Sequence, residues 1–352
     1  MKVALVGPYP PPFGGISVAI QRLKILLEEQ GVVCHAYDTS NTLKQVPGVT
    51  SIHGQRLWYL RHLLTAREDI IHYQDSSWRG RTWIGLLPWR ARTIVSIQGN
   101  SLVDSWTQGG ALRQVLIRTA LRRTSFVILS NPDYVQFARS LGVAEKRMAV
   151  IPAFIPPVPN DKDDYAISSE VWLFCRTHTP LLLANGAIAF YQGEDLYGVD
   201  LLIELVRALK DRHPHIGLVF PMRPFAGESE QAYWRVLQAR IEAYSLTDNI
   251  HWIMEGVPAM HPLLRACHAF LRPTNTDGDA VSVREAIHFQ IPVVASDASP
   301  RPAGTVLFRS RDVDDFIKQT ERVLAGELLL ERAASTSSFD LIWQIYQTLA
   351  AT

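Results

Sequence analysis

Short, wholly apolar runs recur along this chain, each followed by a stretch with helical spacing, and few folds accommodate that alternation. Lys2-Val-Ala-Leu-Val ends at Gly7, and Val32 to Tyr37, Ile70 to Tyr73, Thr93 to Ile97 and Phe126 to Leu129 are runs of the same kind. A strand that is apolar at successive positions, rather than at every second one, is buried on both faces, as strands are in a parallel sheet covered by helices. The intervening stretches supply the helices. Ile16 to Gln30 is amphipathic and closed by Gly31, and Leu112 to Arg123 precedes the run at Phe126. A further helix is predicted from Pro132 to Leu141, with Asn131 as its N-cap, Pro132 at its first position and Gly142 closing it. Strands alternating with helices predict a doubly wound parallel sheet, whose ligands lie beyond the carboxyl ends of the strands.

The same alternation begins again after Val150 to Asp164, where a proline-rich stretch passes into a charged one and marks a domain boundary. Leu181-Leu-Leu-Ala-Asn-Gly, Ile216 to Phe220 and Ile250 to Met254 read as strands, with Val199 to Lys210, Tyr233 to Tyr244 and Pro262 to Ala266 as helices. A chain of 352 residues exceeds what one core usually supports. The expected fold class is therefore α/β with two doubly wound, Rossmann-like domains, spanning residues 1–158 and 165–335. A last helix over 336–352 packs back on the molecule.

The densest chemistry lies in Leu271 to Asp297, LRPTNTDGDAVSVREAIHFQIPVVASD. Thr274 to Asp279 is rich in turn formers, a helix begins at Val281, and Pro292-Val-Val-Ala reads as a buried strand. Asp277 stands in the loop at the helix mouth, and Glu285 follows it by eight residues, about two turns further on. Two carboxylates so placed reach two sets of hydroxyls on one ligand, while N–H groups of the first helical turn face an anion between them. A sugar nucleotide has that layout. The alternative is that Asp277 and Asp279 cap the helix and Glu285 is one arm of an exposed pair with Arg284.

Charge divides unevenly. Residues 1–160 carry 18 lysines and arginines against 9 acids, whereas the rest of the chain has 17 against 25. A basic first half favours an anionic ligand or an anionic membrane surface. In RLWYLRHLL and SSWRGRTWIGLLPWRART, Trp58, Trp78, Trp83 and Trp89 are interleaved with Arg56, Arg61, Arg79, Arg81, Arg90 and Arg92. That mixture suits a bilayer interface, but tryptophans bury well without lipid, and a core of tryptophans beneath a solvated arginine face is the alternative. No nucleic-acid motif accompanies the charge. No run approaches the ~18 apolar residues of a membrane span. Prolines at 8, 10, 11 and 12 break the opening run too early for a signal peptide, so the expected location is the cytoplasm or the inner face of the membrane. Cys34, Cys175 and Cys267 are few and far apart, with no metal-ligand spacing.

Three stretches carry a family likeness. GPYPPPFGGISVAIQRLKILLEEQG, SNPDYVQFARSLGVAEKRMAVIPAFIPP and DGDAVSVREAIHFQIPVVASD resemble the opening glycine loop, the domain-closing segment and the acidic signature of the retaining family-four glycosyltransferases of GT-B fold. The resemblance implies two Rossmann-like domains facing a cleft, an acceptor-side one and a nucleotide-sugar-binding one. It implies transfer of a hexosyl-type sugar from a nucleotide-sugar donor to a glycan or lipid-linked acceptor hydroxyl, with retention and no required metal or cofactor, in polysaccharide or glycolipid assembly. On that likeness Asp277 holds the donor sugar and Glu285 the ribose. Gly186, Gly278, Asp279 and Ala280 line the donor site, and Gly14 and Gly15 leave room for diphosphate and acceptor.

The chain departs from the family's pattern in places. Ala187 and Tyr197 stand near where the family has an Arg and a Lys for the diphosphate, Gln98 stands where it often has a His, and Asp277 is shorter than the commoner Glu. Gln98 keeps a hydrogen bond to the donor without an ionisable group. Arg272 is the first choice for the missing cation because it ends the strand before the acidic loop; Arg223 is second, with Arg284 and Arg301 behind them. Two other classes stay open: a catalytically silent protein that binds a sugar nucleotide or glycan, and an epimerase or phosphorylase on the same fold.

Overall fold

The computed structural model describes residues 1–11, 14–40, 45–52, 68–86, 90–98, 101–159, 161–254, 256–277, 280–327 and 337–351. The chain forms two compact units, Met1–Val158 with Ser335–Thr352, and Pro159–Ala334.

Among the described residues, the first unit has a parallel sheet of β1 (Lys2–Gly7), β2 (Val33–Asp38), β3 (Val49–Ser51), β4 (Ile70–Tyr73), β5 (Arg92–Ile97), β6 (Phe126–Leu129) and β7 (Met148–Val150). Its order is β3-β2-β1-β4-β5-β6-β7. The burial of these strands explains their apolar composition. Along β1, Ala4 and Val6 join one buried cluster with Ile71, Val95 and Val127, while Val3 and Leu5 join another with Ile70, Ile94 and Ile128. Each face of the sheet is thus covered, and a polar residue at either set of positions loses its water without a partner.

The helix Gly15–Glu29 packs Ile20, Leu23 and Leu27 on the second cluster. So does the C-terminal helix Ser338–Ala350, through Phe339, Ile342 and Tyr346. A buried polar chain pins it there. His72 Nδ1 is 2.6 Å from Tyr346 Oη, and His72 Nε2 is 2.7 Å from Ser96 Oγ. Burial lowers the pKa of His72 from its ordinary value to about 3, so the ring is neutral and one nitrogen donates while the other accepts.

The expected helix Pro132 to Leu141 starts with a tight turn, Pro132–Tyr134, before Val135–Ser140. Asn131 caps it, its Oδ1 accepting from the Asp133 N–H at 2.9 Å, and Gly142 has the left-handed φ of +90° that closes it. Of the aromatic and basic segments, RLWYLRHLL and Trp89 lie outside the described residues. Trp78 starts the helix Trp78–Leu86 and packs on the core with the Arg113 guanidinium 4.6 Å from its ring. Arg81 is buried, and its Nη2 donates to Ser101 Oγ at 3.0 Å. Trp78 is thus partly buried against the core and Arg81 fully buried. Trp83 is 51% exposed.

In the second unit the sheet runs β12-β11-β8-β13-β14-β15, all parallel, with a separate hairpin β9–β10. The strands are β8 (Leu181–Ala184), β9 (Phe190–Tyr191), β10 (Glu194–Asp195), β11 (Gly217–Pro221), β12 (Ile250–Ile253), β13 (Ala269–Arg272), β14 (Val293–Ser296) and β15 (Thr305–Phe308). β8 again splits its residues between two buried clusters, Leu182 and Ala184 in one, Leu181 and Leu183 in the other. The chain order reverses between β8 and β13, and the crevice beyond their carboxyl ends is where sheets of this kind hold ligands.

Candidate active site

The acidic loop leaves β13 at that reversal. The helix after it, Val281–His288, is short, with Val283 and Ala286 buried and Ala280 in extended conformation as its N-cap. Among the described residues no side chain caps this helix at Ala280, Asp279 lying outside them, and Glu285 is buried, 3% exposed, so it is not one arm of an exposed pair.

Asp277 is held by two arginines. Arg272 donates through Nε to Asp277 Oδ2 at 2.8 Å and through Nη2 to Oδ1 at 3.2 Å, and Arg301 Nη1 donates to Oδ2 at 2.9 Å. Thr274 Oγ1 adds a contact to Oδ2 at 3.3 Å, and Ser299 Oγ bonds both the N–H and the carbonyl of Asp277. Burial would raise this carboxyl, but Arg272 and Arg301 more than offset it, and its pKa is lowered from the ordinary carboxylate value.

The arginines are themselves tied down. Arg272 Nη1 donates to the Asn185 carbonyl at 3.0 Å and to Asn185 Oδ1 at 3.2 Å. The Arg301 side chain is only 2% exposed and donates to Ser296 O, Thr274 Oγ1 and Ser296 Oγ as well. A neighbouring loop completes the crevice. The Arg223 N–H donates to Gly186 O at 3.0 Å, Gly186 pairs with Met222 across the ends of β8 and β11, and Arg223 Nη2 donates to Tyr197 Oη at 2.6 Å. Gly186 is glycine for a steric reason: a Cβ there would lie 2.4 Å from the Tyr197 ring.

The structure therefore brings Gly186, Arg223, Arg272, Asp277 and Ala280 to the carboxyl ends of neighbouring strands, with Glu285 in the helix behind; Gly278 and Asp279 lie outside the described residues. Gly14, Gly15 and Gln98 belong to the first unit. Gly14 is the N-cap of Gly15–Glu29, with its N–H donating to Ser17 Oγ at 2.9 Å. A Cβ at Gly14 would meet nothing nearer than Ser17 Oγ at 3.9 Å, so the chain's own packing does not demand glycine there. Gln98 follows β5 and lines a cavity of about 20 Å³, room for roughly one water molecule, with Gln74, Ser96 and Ser130. Among the described residues no group of three or more His, Cys, Asp or Glu side chains is placed to hold a metal ion.

Residues 187–336 match the family model of glycosyl transferases group 1, and residues 14–153 match that of the glycosyl transferase 4-like domain. The chain is a GT-B glycosyltransferase. Solved structures share its architecture. Anabaena HepE in complex with UDP is 14% identical over 100% of both chains, with a TM-score of 0.63. Sucrose-phosphate synthase from Thermosynechococcus elongatus is 14% identical over 99% of this chain and 96% of its own, with a TM-score of 0.58. A UDP-forming α,α-trehalose-phosphate synthase from Burkholderia xenovorans in complex with glucose-6-phosphate is 11% identical over 99% and 97%, with a TM-score of 0.62. At these identities the likeness is one of fold. No curated protein sequence matches the chain.

Some residues that build this glycosyltransferase's crevice escape a sequence reading. Asp195 is buried and accepts from the N–H groups of Tyr197, Gly198, Val199 and Asp200, at 3.0, 3.1, 3.0 and 3.3 Å, which fixes the turn into the helix Val199–Lys210. Burial, then the neighbouring Asp200, push its pKa up to about 6 against the pull of those N–H groups. An acid just before a helix is a readable signal for such a role. Asn185, Thr274, Ser296 and Ser299 give no comparable signal, since each bonds a partner brought close by the fold: Asn185 meets Arg272, Ser299 meets Asp277, and Thr274 and Ser296 meet Arg301.

Proposed function

We propose that this glycosyltransferase is a retaining enzyme that moves a sugar from a uridine diphosphate donor to an acceptor hydroxyl in polysaccharide or glycolipid assembly. The observation that carries the reading is the acid pair, Asp277 in the loop after β13, held by Arg272 and Arg301, and buried Glu285 on the following helix. HepE has been solved with UDP, with UDP and glucose, and with UDP-glucose, and the trehalose-phosphate synthase with a sugar phosphate, which supports a donor and an acceptor of those classes. In this reading Asp277 meets a donor-sugar hydroxyl, and Glu285 the ribose. Gly186, Gly278, Asp279 and Ala280 shape the donor pocket, Gly14 and Gly15 leave space near the diphosphate and acceptor, and Gln98 offers a hydrogen bond.

The bond between the anomeric carbon and the diphosphate oxygen breaks, its electron pair leaving on the diphosphate. The acceptor oxygen bonds to that carbon on the same face and gives its proton to the departing diphosphate. The protein positions both reactants and stabilises the leaving charge, and the reaction needs no metal. A thermal-shift panel of nucleotide sugars tests the donor class, because a ligand that binds only the folded state raises its apparent stability. No shift with any uridine diphosphate sugar would overturn the assignment.

A second reading has an observation of its own in its favour. Asp277 is so fully engaged by Arg272 and Arg301 that a hydroxyl must compete with them, which is what a catalytically silent sugar-nucleotide binder would tolerate. Binding without turnover would establish it.

Glu285→Gln is expected to raise the KM for donor and leave kcat nearly unchanged, since a ribose contact is equally strong in ground and transition states. A collapse of kcat at unchanged donor affinity would remove Glu285 from the ribose.

An anionic membrane surface is the proposed site of the acceptor. The helix Ala111–Arg123 carries exposed Leu112 and Val115, 74% and 58% exposed, together with Arg118, Arg122 and Arg123, and it packs beside the helix that bears Trp83. Liposome flotation should show binding that requires anionic lipid and fades with salt. Absence of binding to any lipid would remove the membrane from the account. No described helix is long and apolar enough to cross one.

A further inference from the structure

Three arginines converge on the crevice, and counting their N–H groups separates them. A guanidinium has five. Arg272 commits four, two to Asp277 and two to Asn185; Arg301 likewise commits four, to Asp277, Thr274 and Ser296. Arg223 commits one, to the Tyr197 hydroxyl, and its side chain is exposed. Among the described residues no carboxylate lies within ion-pair distance of it. Arg272 and Arg301 are thus the frame that holds the acidic loop, and Arg223 keeps both its donors and its charge.

We propose that Arg223 is the cation that takes the donor's diphosphate, and that Tyr197 is its positioning residue. The inference rests on the reading of the protein as a nucleotide-sugar transferase. Tyr197 is firmly held in place. Its N–H donates to Asp195 Oδ1, its ring packs against the Cα of Gly186, and the Arg272 guanidinium lies 5.2 Å from that ring. The Arg223 guanidinium lies 5.7 Å from the same ring and donates to its hydroxyl, and the Arg223 backbone is bonded to Gly186. Because the acceptor is a phenol and not a carboxylate, the arginine is oriented without its charge being offset. The phenol's own O–H remains a donor for a phosphate oxygen. Oriented donors with uncancelled charge at the carboxyl end of β8 and β11 are what a diphosphate gaining charge as it leaves requires.

The test is calorimetric titration of UDP and of uridine into the full chain, with turnover measured on a uridine diphosphate sugar. Arg223→Ala should weaken UDP by about 10-fold or more and leave uridine unchanged. Its kcat should fall by ~10²-fold. Tyr197→Phe keeps the ring but not the hydroxyl, and should lower kcat several-fold more than it alters KM, at an unchanged melting temperature. Adding Tyr197→Lys to Arg223→Ala puts an ammonium beside the vacated position and should recover part of the lost UDP affinity.

Parental UDP affinity in Arg223→Ala overturns the proposal, as does equal loss of UDP and uridine, which marks general damage to the pocket. A rise only in the KM for the acceptor, at parental UDP affinity, would move Arg223 to the acceptor and overturn the donor assignment. If Tyr197→Phe matches the parent while Arg223→Ala fails, the positioning role falls alone. Failure of the parent itself to bind any nucleoside diphosphate would remove the functional reading and this inference together.

Discussion

Asp277→Ala is expected to lower the free energy of unfolding by about 3–5 kcal/mol, because it leaves the guanidiniums of Arg272 and Arg301 without their counter-charge. Arg301 carries the cost. At 2% exposure its side chain has no route to water, whereas an exposed ion pair would be worth under about 1 kcal/mol. Asp277→Asn keeps the shape and one acceptor and should lose less. Pairing Asp277→Leu with Arg301→Met removes the stranded charge and should recover stability that Asp277→Ala loses. Denaturant unfolding of the four proteins decides the matter. A parental midpoint for Asp277→Ala would mean that the two arginines relax into solvent and that the acid frames nothing. The sign with pH follows from the lowered carboxyl pKa. A group whose pKa falls on folding stabilises the folded state above its unfolded value of about 3.9, and the contribution drains as pH drops through the folded value. The gap between parent and Asp277→Asn should therefore be full at neutral pH and close below about pH 4.

Asp195→Ala should cost about 2–3 kcal/mol, since four backbone N–H groups at the start of Val199–Lys210 lose their common acceptor. The effect should reach beyond stability. The same carboxylate fixes the Tyr197 N–H, and through Tyr197 the direction of Arg223, so turnover should fall further than in variants of equal stability cut elsewhere in the second unit. Asp195→Asn, whose amide oxygen still accepts, should sit between parent and alanine on both measures. An Asp195→Ala protein with parental melting and parental kcat would show that the turn is held by β9 and β10 instead.

The alternation of buried strands and helices was legible because a strand covered on both faces must be apolar at successive positions. Hence Ile70–Tyr73, Phe126–Leu129 and Leu181–Ala184 stand where the sequence places them. The hairpin Phe190–Tyr191 with Glu194–Asp195 was not, because two-residue strands have no period, and β15 with the helix Val313–Leu324 passed unread for want of a strong apolar run. Asp277 and Glu285 were legible as candidates from turn chemistry and spacing. Their surroundings were not. Asp277 and Arg301 are 24 residues apart, and His72 and Tyr346 are 274 apart, so nothing local signals either pair. Arg272 ranks first among cations by position in sequence; counted by free donors it ranks behind Arg223, because only the fold shows that Asn185 and Asp277 consume it.

Transfer with retention is tested most directly by the proton NMR spectrum of the reaction of the full chain with an α-configured uridine diphosphate sugar and an acceptor, followed through the anomeric coupling constant. The expected result is an α-linked product, with UDP appearing only when acceptor is present. A β-linked product would contradict retention, and consumption of the donor to an epimer without acceptor would contradict transfer itself.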